Sequence, residues 1–416
     1  MDKARLQRRV MKKLLTNQEE RVASDTKKYD LWRNLFNGIV EASYYSSVLL
    51  VAIRHFGASD HAKSLIAGGS CLGFLLAPGF LLLMGKSRIP VSRICAILTV
   101  GTGTGILLSS TANSAWVYTC WVLAACVLVG QIPSLMVHVY SRNYRSGERG
   151  RKISGNLMLS AVVGAITALV VGRLLDDDLN HFRTIAVFMF LFCLCTAYFH
   201  LKIPSAPLKP SAGGLSKDLR HALKDRLFFW MLTGWMLMGI GNLVTIPLRV
   251  EYLANPVYGI DASNTIVLSI TLIIPLVARV ISIPVWGRVF DRFNLAFVRI
   301  AINLFFLVGL FLYFQTQSLL FLCLASALIG WATGGGTMAW TLWVTKIAPS
   351  GRESSYMSIH SFCTGLRGVP APFVGYWIIT TLGPSKVGWT SVILIGASCL
   401  IFLALSRDHR LKASVS

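Results

Sequence analysis

Charge is scarce in this chain, and acid scarcest of all. Only 14% of the 416 residues are charged, with 18 Asp and Glu against 40 Lys and Arg. At 54% hydrophobic and a mean hydropathy of +0.61, it lacks the polar surface of a soluble domain. The nine cysteines are Cys71, Cys95, Cys120, Cys126, Cys193, Cys195, Cys323, Cys363 and Cys399, all inside apolar runs. They have neither zinc-site nor disulfide-framework spacing, so no metal and no cofactor is expected, and the thiols read as small buried apolar groups. There is no metal-ligand cluster, no nucleophile elbow and no paired carboxylates at a membrane face, which argues against an enzyme. GWATGGGTMAW (330–340) lacks the Lys-Ser/Thr of a phosphate loop; its small residues suit tight helix contact instead.

The start, MDKARLQRRVMKKLL, has no apolar core long enough for a signal peptide. Leu6, Val10 and Leu14 recur every four residues among Arg and Lys, as in a basic amphipathic helix on a membrane surface; a disordered basic tail fits equally well.

What the chain has in abundance is apolar runs of bilayer-crossing length. Six occur at about 31–54, 63–84, 90–111, 114–140, 153–175 and 183–202, and six more at about 227–250, 264–286, 296–315, 318–346, 354–381 and 386–405. The reading is an all-α membrane protein of twelve transmembrane helices. It divides into a basic N-terminal segment (1–30), a six-helix bundle (31–202), a central linker (203–226), a second bundle (227–405) and a tail (406–416).

The positive charges test that count. With the N-terminus cytoplasmic, 32 of the 40 Lys and Arg fall on the cytoplasmic side, while the outer loop DDDLN (176–180) is acidic. A miscounted span would invert every later loop and break the pattern. The formal charge of +22 therefore records topology, and no nucleic-acid partner is implied.

The halves echo each other. Gly85 answers Gly287, Gly130 answers Gly330, and Ser146-Gly147-Glu148-Arg149 answers Ser350-Gly351-Arg352-Glu353, at offsets of 202, 200 and 204. Near-constant offsets indicate a parallel repeat of two six-helix halves.

Between spans eight and nine lies GRVFDRF (287–293). Gly287, Asp291 and Arg292 resemble the signature loop of the major facilitator superfamily, and the twelve spans, the 6+6 repeat and the long linker resemble that family across nearly the whole chain. The resemblance implies a transporter that alternates access by rocking two bundles. It also implies a cytoplasmic gate in which Asp291 pairs with basic residues, while Gly287 permits close helix approach. Asn294, Leu295 and Ala296 depart from the pattern, and the first-half copy keeps Gly85 but has Ile89 where the acid belongs. In span five, Gly155, Gly164 and Gly172 match the antiporter motif of the family's drug exporters, but Ala168, Leu169 and Arg173 replace its remaining Gly and Pro. That lowers the case for an exporter.

Ionisable groups at mid-membrane are costly and mark function. Glu41 is the leading candidate, on a stripe with Asn34, Asn37 and Tyr45 at helical spacing and with Tyr44 beside it. Desolvation would fit its carboxylate to take and release a proton; a structural hydrogen bond to a neighbouring helix is the alternative. Arg279 and Arg367 suit an anionic substrate or an internal ion pair, the latter with Glu41. His138 reads as interface packing; His360, Gln131, Asn242 and Trp331 complete the binding candidates. Pro370 and Pro372 are expected to break span eleven.

The expected function is secondary transport of a small polar or anionic metabolite, coupled to protons or another ion. A proton-coupled exporter of lipophilic cations is the alternative, and a non-transporting membrane sensor a further one. The chain is expected to act as a lipid-embedded monomer in a bacterial cytoplasmic membrane, with both termini cytoplasmic.

Overall fold

The computed structural model describes residues 2–144, 149–208, 224–349 and 353–411. Its helices follow the apolar runs. The first half comprises Asp2–Arg54, Asp60–Gly85, Val91–Ser109, Ala115–Val129 continued by Ile132–Asn143, Arg149–Asp177 and His181–Lys202. The second half opens with Arg226–Leu243, continued by Ile246–Ala254. Span eight is Asn264–Leu268, a π turn over Ser269–Ile273, then Ile274–Arg292. Spans nine, ten and twelve are Leu295–Gln315, Leu319–Ile347 and Pro384–Leu405.

Eleven of these are long and apolar enough to cross a membrane. The twelfth, span eleven, is divided into Glu353–Gly368 and Ala371–Leu382, each too short to cross alone. The break falls at Val369-Pro370, as expected, because proline lacks an amide hydrogen and crowds the preceding turn. No break separates the basic N-terminal segment from span one: a single helix runs through residue 30, and Thr26 and Asp30 are fully buried.

The repeat read in the sequence is a repeat of contacts. A Cβ on Gly130 of span four would lie 2.9 Å from Cα of Gly73 on span two, and one on Gly330 of span ten would collide with the backbone of Pro275 on span eight. Both pairs need a residue without a side chain. Gly334 and Gly335 continue the second seam against Ser282 and Trp286. Gly287 does not have the close-approach role expected of it: its nearest neighbour would be the flexible tip of Met338 at an ordinary 3.7 Å.

The halves meet along two seams, span two against span eleven and span five against span eight. Gly68, Gly365 and Gly368 bring spans two and eleven together around Cys71, Leu75 and Val369, and Gly172 brings span five against Thr265 of span eight. Gly164 packs on Ala42 within the first half. The span-five glycines that can be placed therefore serve helix packing.

Candidate functional site

At the end away from the chain termini the halves are clasped by polar contacts. Lys63 of span two donates to Glu251 of span seven at 2.8 Å, with both side chains buried. Tyr376 donates to the same carboxylate, and the Lys63 ammonium lies 4.6 Å from the Tyr376 ring centroid. Arg54, ending span one, donates to the carbonyls of Ala254 and Ala262 and to Asn264 Oδ1. Asp176 accepts the backbone N–H groups of Asn264 and Thr265 at 2.6 and 3.1 Å. These are free donors at the N-terminus of span eight, where the helix dipole favours an anion. The clasp borders a cleft of about 510 Å³ lined by Arg54, Lys63, Asn255 and Asp261.

At the other end each half is tied internally. Asp30, fully buried, accepts from Arg33 Nε at 2.8 Å, the Tyr140 hydroxyl at 2.9 Å and Asn156 Nδ2 at 2.6 Å. This acid joins spans one, four and five. Asp225 caps span seven, receives Arg410 at 3.0 and 3.1 Å, and accepts from Tyr356 of span eleven at 3.4 Å. Asp30 through Asn156 and Asp225 through Tyr356 each join the entry to a half with that half's fifth span. Gly85 ends span two, and Arg292 ends span eight with an exposed side chain. The side chain of Asp291 lies outside the described residues, so the expected gate contact does too.

Between the clasp and the terminus-bearing end the halves face each other across Glu41. Its side chain is accessible although protein surrounds it, and Tyr45, one turn on, is 54% exposed. Asn37, one turn earlier, is half-buried. The cations acting on Glu41 are Arg279 of span eight and Arg33 of its own helix; the acid acting on Arg279 is Glu41. No direct ion pair joins them among the described residues. Glu41 and Arg279 therefore confront each other from opposite halves.

The remaining candidates lie elsewhere. Tyr44 turns from Asn37 and Glu41 toward span four, its hydroxyl 2.8 Å from Cys126 Sγ. Gln131 is buried and donates to the carbonyls of Gly73 and Val127 at 2.9 and 3.0 Å, stapling span four to span two at the break in span four. Asn242 lies just before the break in span seven, with its Oδ1 buried and unpartnered. Trp331 is half-buried and uses its carbonyl to accept from the Trp286 indole at 2.9 Å.

His360 and Arg367 are buried in the second half, away from Glu41. His360 is 5.2, 5.3 and 5.2 Å from the rings of Trp235, Trp340 and Trp343. Arg367 donates to the Trp235 carbonyl. Their near neighbour is a residue the sequence hid, Arg299. It reads as one of the cytoplasmic-side charges, yet it lies one turn inside span nine, 1% exposed, its guanidinium 3.7 Å over the Trp235 ring. The signal available was the i, i+4 pairing of Arg299 with Asn303 on an otherwise apolar helix.

Known proteins share this architecture. Residues 252–415 match the family model of the Major Facilitator Superfamily. A peptide transporter solved in complex with sulfate superposes with a TM-score of 0.72 at 12% identity, over 95% of this chain and 99% of that one. A D-xylose-proton symporter gives 0.67 at 16% identity, over 91% and 96%. A bacterial homologue of the human lysosomal transporter Spinster, inward-facing and occupied, gives 0.68 at 13%, over 94% and 99%. No curated protein matches the chain in sequence. The resemblance read from GRVFDRF is borne out: this is a multi-pass membrane protein with the major facilitator fold, twelve helices in two pseudo-symmetric bundles.

Proposed function

We propose that the chain is a secondary transporter that alternates access between its two halves and couples transport of a small solute to protons through Glu41. The carrying observation is the placement of Glu41 and Arg279 on opposite halves, facing each other without a direct ion pair. Protonating Glu41 removes the attraction that draws span one toward span eight; deprotonating it restores it. A carboxylate exchanged between water and a confined, partly desolvated site has the properties a proton carrier needs.

Orientation follows from charge. Basic residues concentrate on the terminus-bearing side, which by the positive-inside rule supports cytoplasmic termini and an outer-face position for the clasp of Lys63, Glu251, Arg54 and Asp176. The halves are then held together outside, and the solute path opens inward. The polar, cation-containing surface around Arg279 favours a polar or anionic metabolite. The coupled transport named for the D-xylose-proton symporter is in keeping with this reading.

Proteoliposomes with an imposed pH gradient test it. Wild-type protein should accumulate its solute only with the gradient, whereas Glu41→Gln should exchange solute without accumulating it. Accumulation by Glu41→Gln equal to wild type overturns the assignment. An exporter of lipophilic cations would instead show dye efflux that depends on the negative charge of Glu41.

A further inference from the structure

The second half encloses a concentration of positive charge that the transport reading does not use. Arg299 and Arg367 are 1% and 7% exposed, and His360 is 1% exposed between them. The two guanidinium groups act on each other and both act on His360, and all three groups touch Trp235.

Their hydrogen-bonding capacity is largely unspent. Nε, Nη1 and Nη2 of Arg299, Nε of Arg367, both ring nitrogens of His360 and the indole N–H groups of Trp235 and Trp343 have no partner among the described residues. Buried polar groups are nearly always satisfied, so such a cluster points to a ligand.

The apolar runs of these helices offer no carboxylate to balance this charge. The runs 227–250, 296–315, 318–346, 354–381 and 386–405 contain not one Asp or Glu. The other titratable groups acting on Arg299 and Arg367 are the thiols Cys399, Cys363 and Cys71. Arginine does not shed its proton to escape burial, and an uncompensated buried cation is among the costliest features a fold can carry.

The backbone has also made room for the Arg367 guanidinium. A Cβ on Gly239 would overlap the Arg367 guanidinium, and Gly336 lies beside Nη1 of Arg299. Planar forks, two indole donors and an imidazole, gathered around one aromatic wall, are the donor types that recognise an oxyanion.

We propose that Arg299, Arg367 and His360, walled by Trp235, Trp340 and Trp343, form a buried site for a compact oxyanion, a carboxylate or a phosphate group. The site lies within the second half and is separate from the Glu41–Arg279 pair, so it stands whether or not protons are coupled there. The anion is either free in solution or the charged end of the transported solute.

The test uses the full-length protein in detergent micelles, melted in sodium chloride and titrated with sodium phosphate or sodium acetate at constant ionic strength. Binding to the folded state raises Tm by mass action. A rise that saturates, with a matching saturable change in tryptophan fluorescence, is expected in wild type, and is expected to vanish in Arg299→Met. A non-saturating rise, or an equal rise in Arg299→Met, overturns the proposal. Should Arg299→Met fail to fold, His360→Gln serves in its place: the site then requires the midpoint to move at least several-fold to higher anion concentration, and an unmoved midpoint overturns it. Proteoliposomes with labelled phosphate or acetate identify the source. Label trapped inside the vesicles assigns the site to the transported solute, and label bound without entry assigns it to a resident anion.

Discussion

Lys63 and Glu251 form a buried ion pair of 2.8 Å between spans two and seven, and so between the two halves of the molecule. An ion pair of this kind stabilises little against a well-packed apolar pair, yet breaking it from one side is costly. It is therefore suited to hold one conformation of a two-state machine. Lys63 also touches Asp60 at 3.0 Å, but that carboxylate is exposed and contributes little.

Replacing one partner should weaken the clasp. Lys63→Met leaves Glu251 buried without its cation, with Asn255 and Tyr376 as its donors among the described residues, and should cost about 3–5 kcal/mol of the clasped state. A cysteine at Ala254 should then react faster with an impermeant thiol reagent added from the outer face. The double variant Lys63→Met/Glu251→Met should return most of the lost protection. Unchanged reactivity in the single variant would show that other contacts hold the halves together.

Asp30 offers the corresponding test inside the first half. Its carboxylate is the shared acceptor for Arg33, Tyr140 and Asn156. Asp30→Leu should destabilise the fold by about 3–5 kcal/mol, because Arg33 loses its buried counter-charge. The double variant Asp30→Leu/Arg33→Leu should recover much of that. Thermal melts in detergent decide it.

Asp225 gives a pH signature. Burial pushes its carboxyl upward, but hydrogen bonds from Arg410 and from the N–H groups of Phe228 and Leu227, with the Arg410 charge, outweigh that and hold it below the ordinary carboxylate range. Its folded pKa is depressed, so its contribution is present above the unfolded value near 4 and is lost as pH falls through the folded one. Wild type should lose stability below about pH 4 more steeply than Asp225→Asn, whose cost at neutral pH should be about 1 kcal/mol given the partial exposure of Arg410. Parallel acid melts of the two proteins would remove this assignment.

Gly330 tests the helix seam. A methyl group there meets the Pro275 backbone, which cannot yield as a flexible side chain would. Gly330→Ala should cost about 1–3 kcal/mol by overpacking. Gly287→Ala, with 3.7 Å to a methionine tip, should melt within about 0.5 kcal/mol of wild type.

Much of the architecture was legible from the chain alone, for physical reasons. A lipid bilayer demands about twenty apolar residues per crossing, and basic loops stay on one side, so hydropathy and charge carry span count and sidedness without tertiary information. The offset glycines were informative because close backbone approach requires glycine wherever it occurs, and Gly130 and Gly330 do make such approaches. Glu41 was legible because a carboxylate in mid-span has few structural excuses.

What the tertiary structure decided is the rotation and neighbourhood of each helix. Gln131 and Tyr44 looked like ligand groups, but Gln131 turns to the backbone of span two and Tyr44 to a thiol on span four. Arg54, Lys63 and Asp176 are loop-edge charges in the sequence, and the fold joins them to residues about 90 to 210 positions away. Arg299 lies at the edge of its apolar run, where a charge normally reaches water. Only the packing of Trp235, Gly336 and His360 around it, from three other helices, encloses it. Hydropathy averages over a helix, whereas burial depends on which side of it faces which neighbour, and that is set by contacts far apart in the chain.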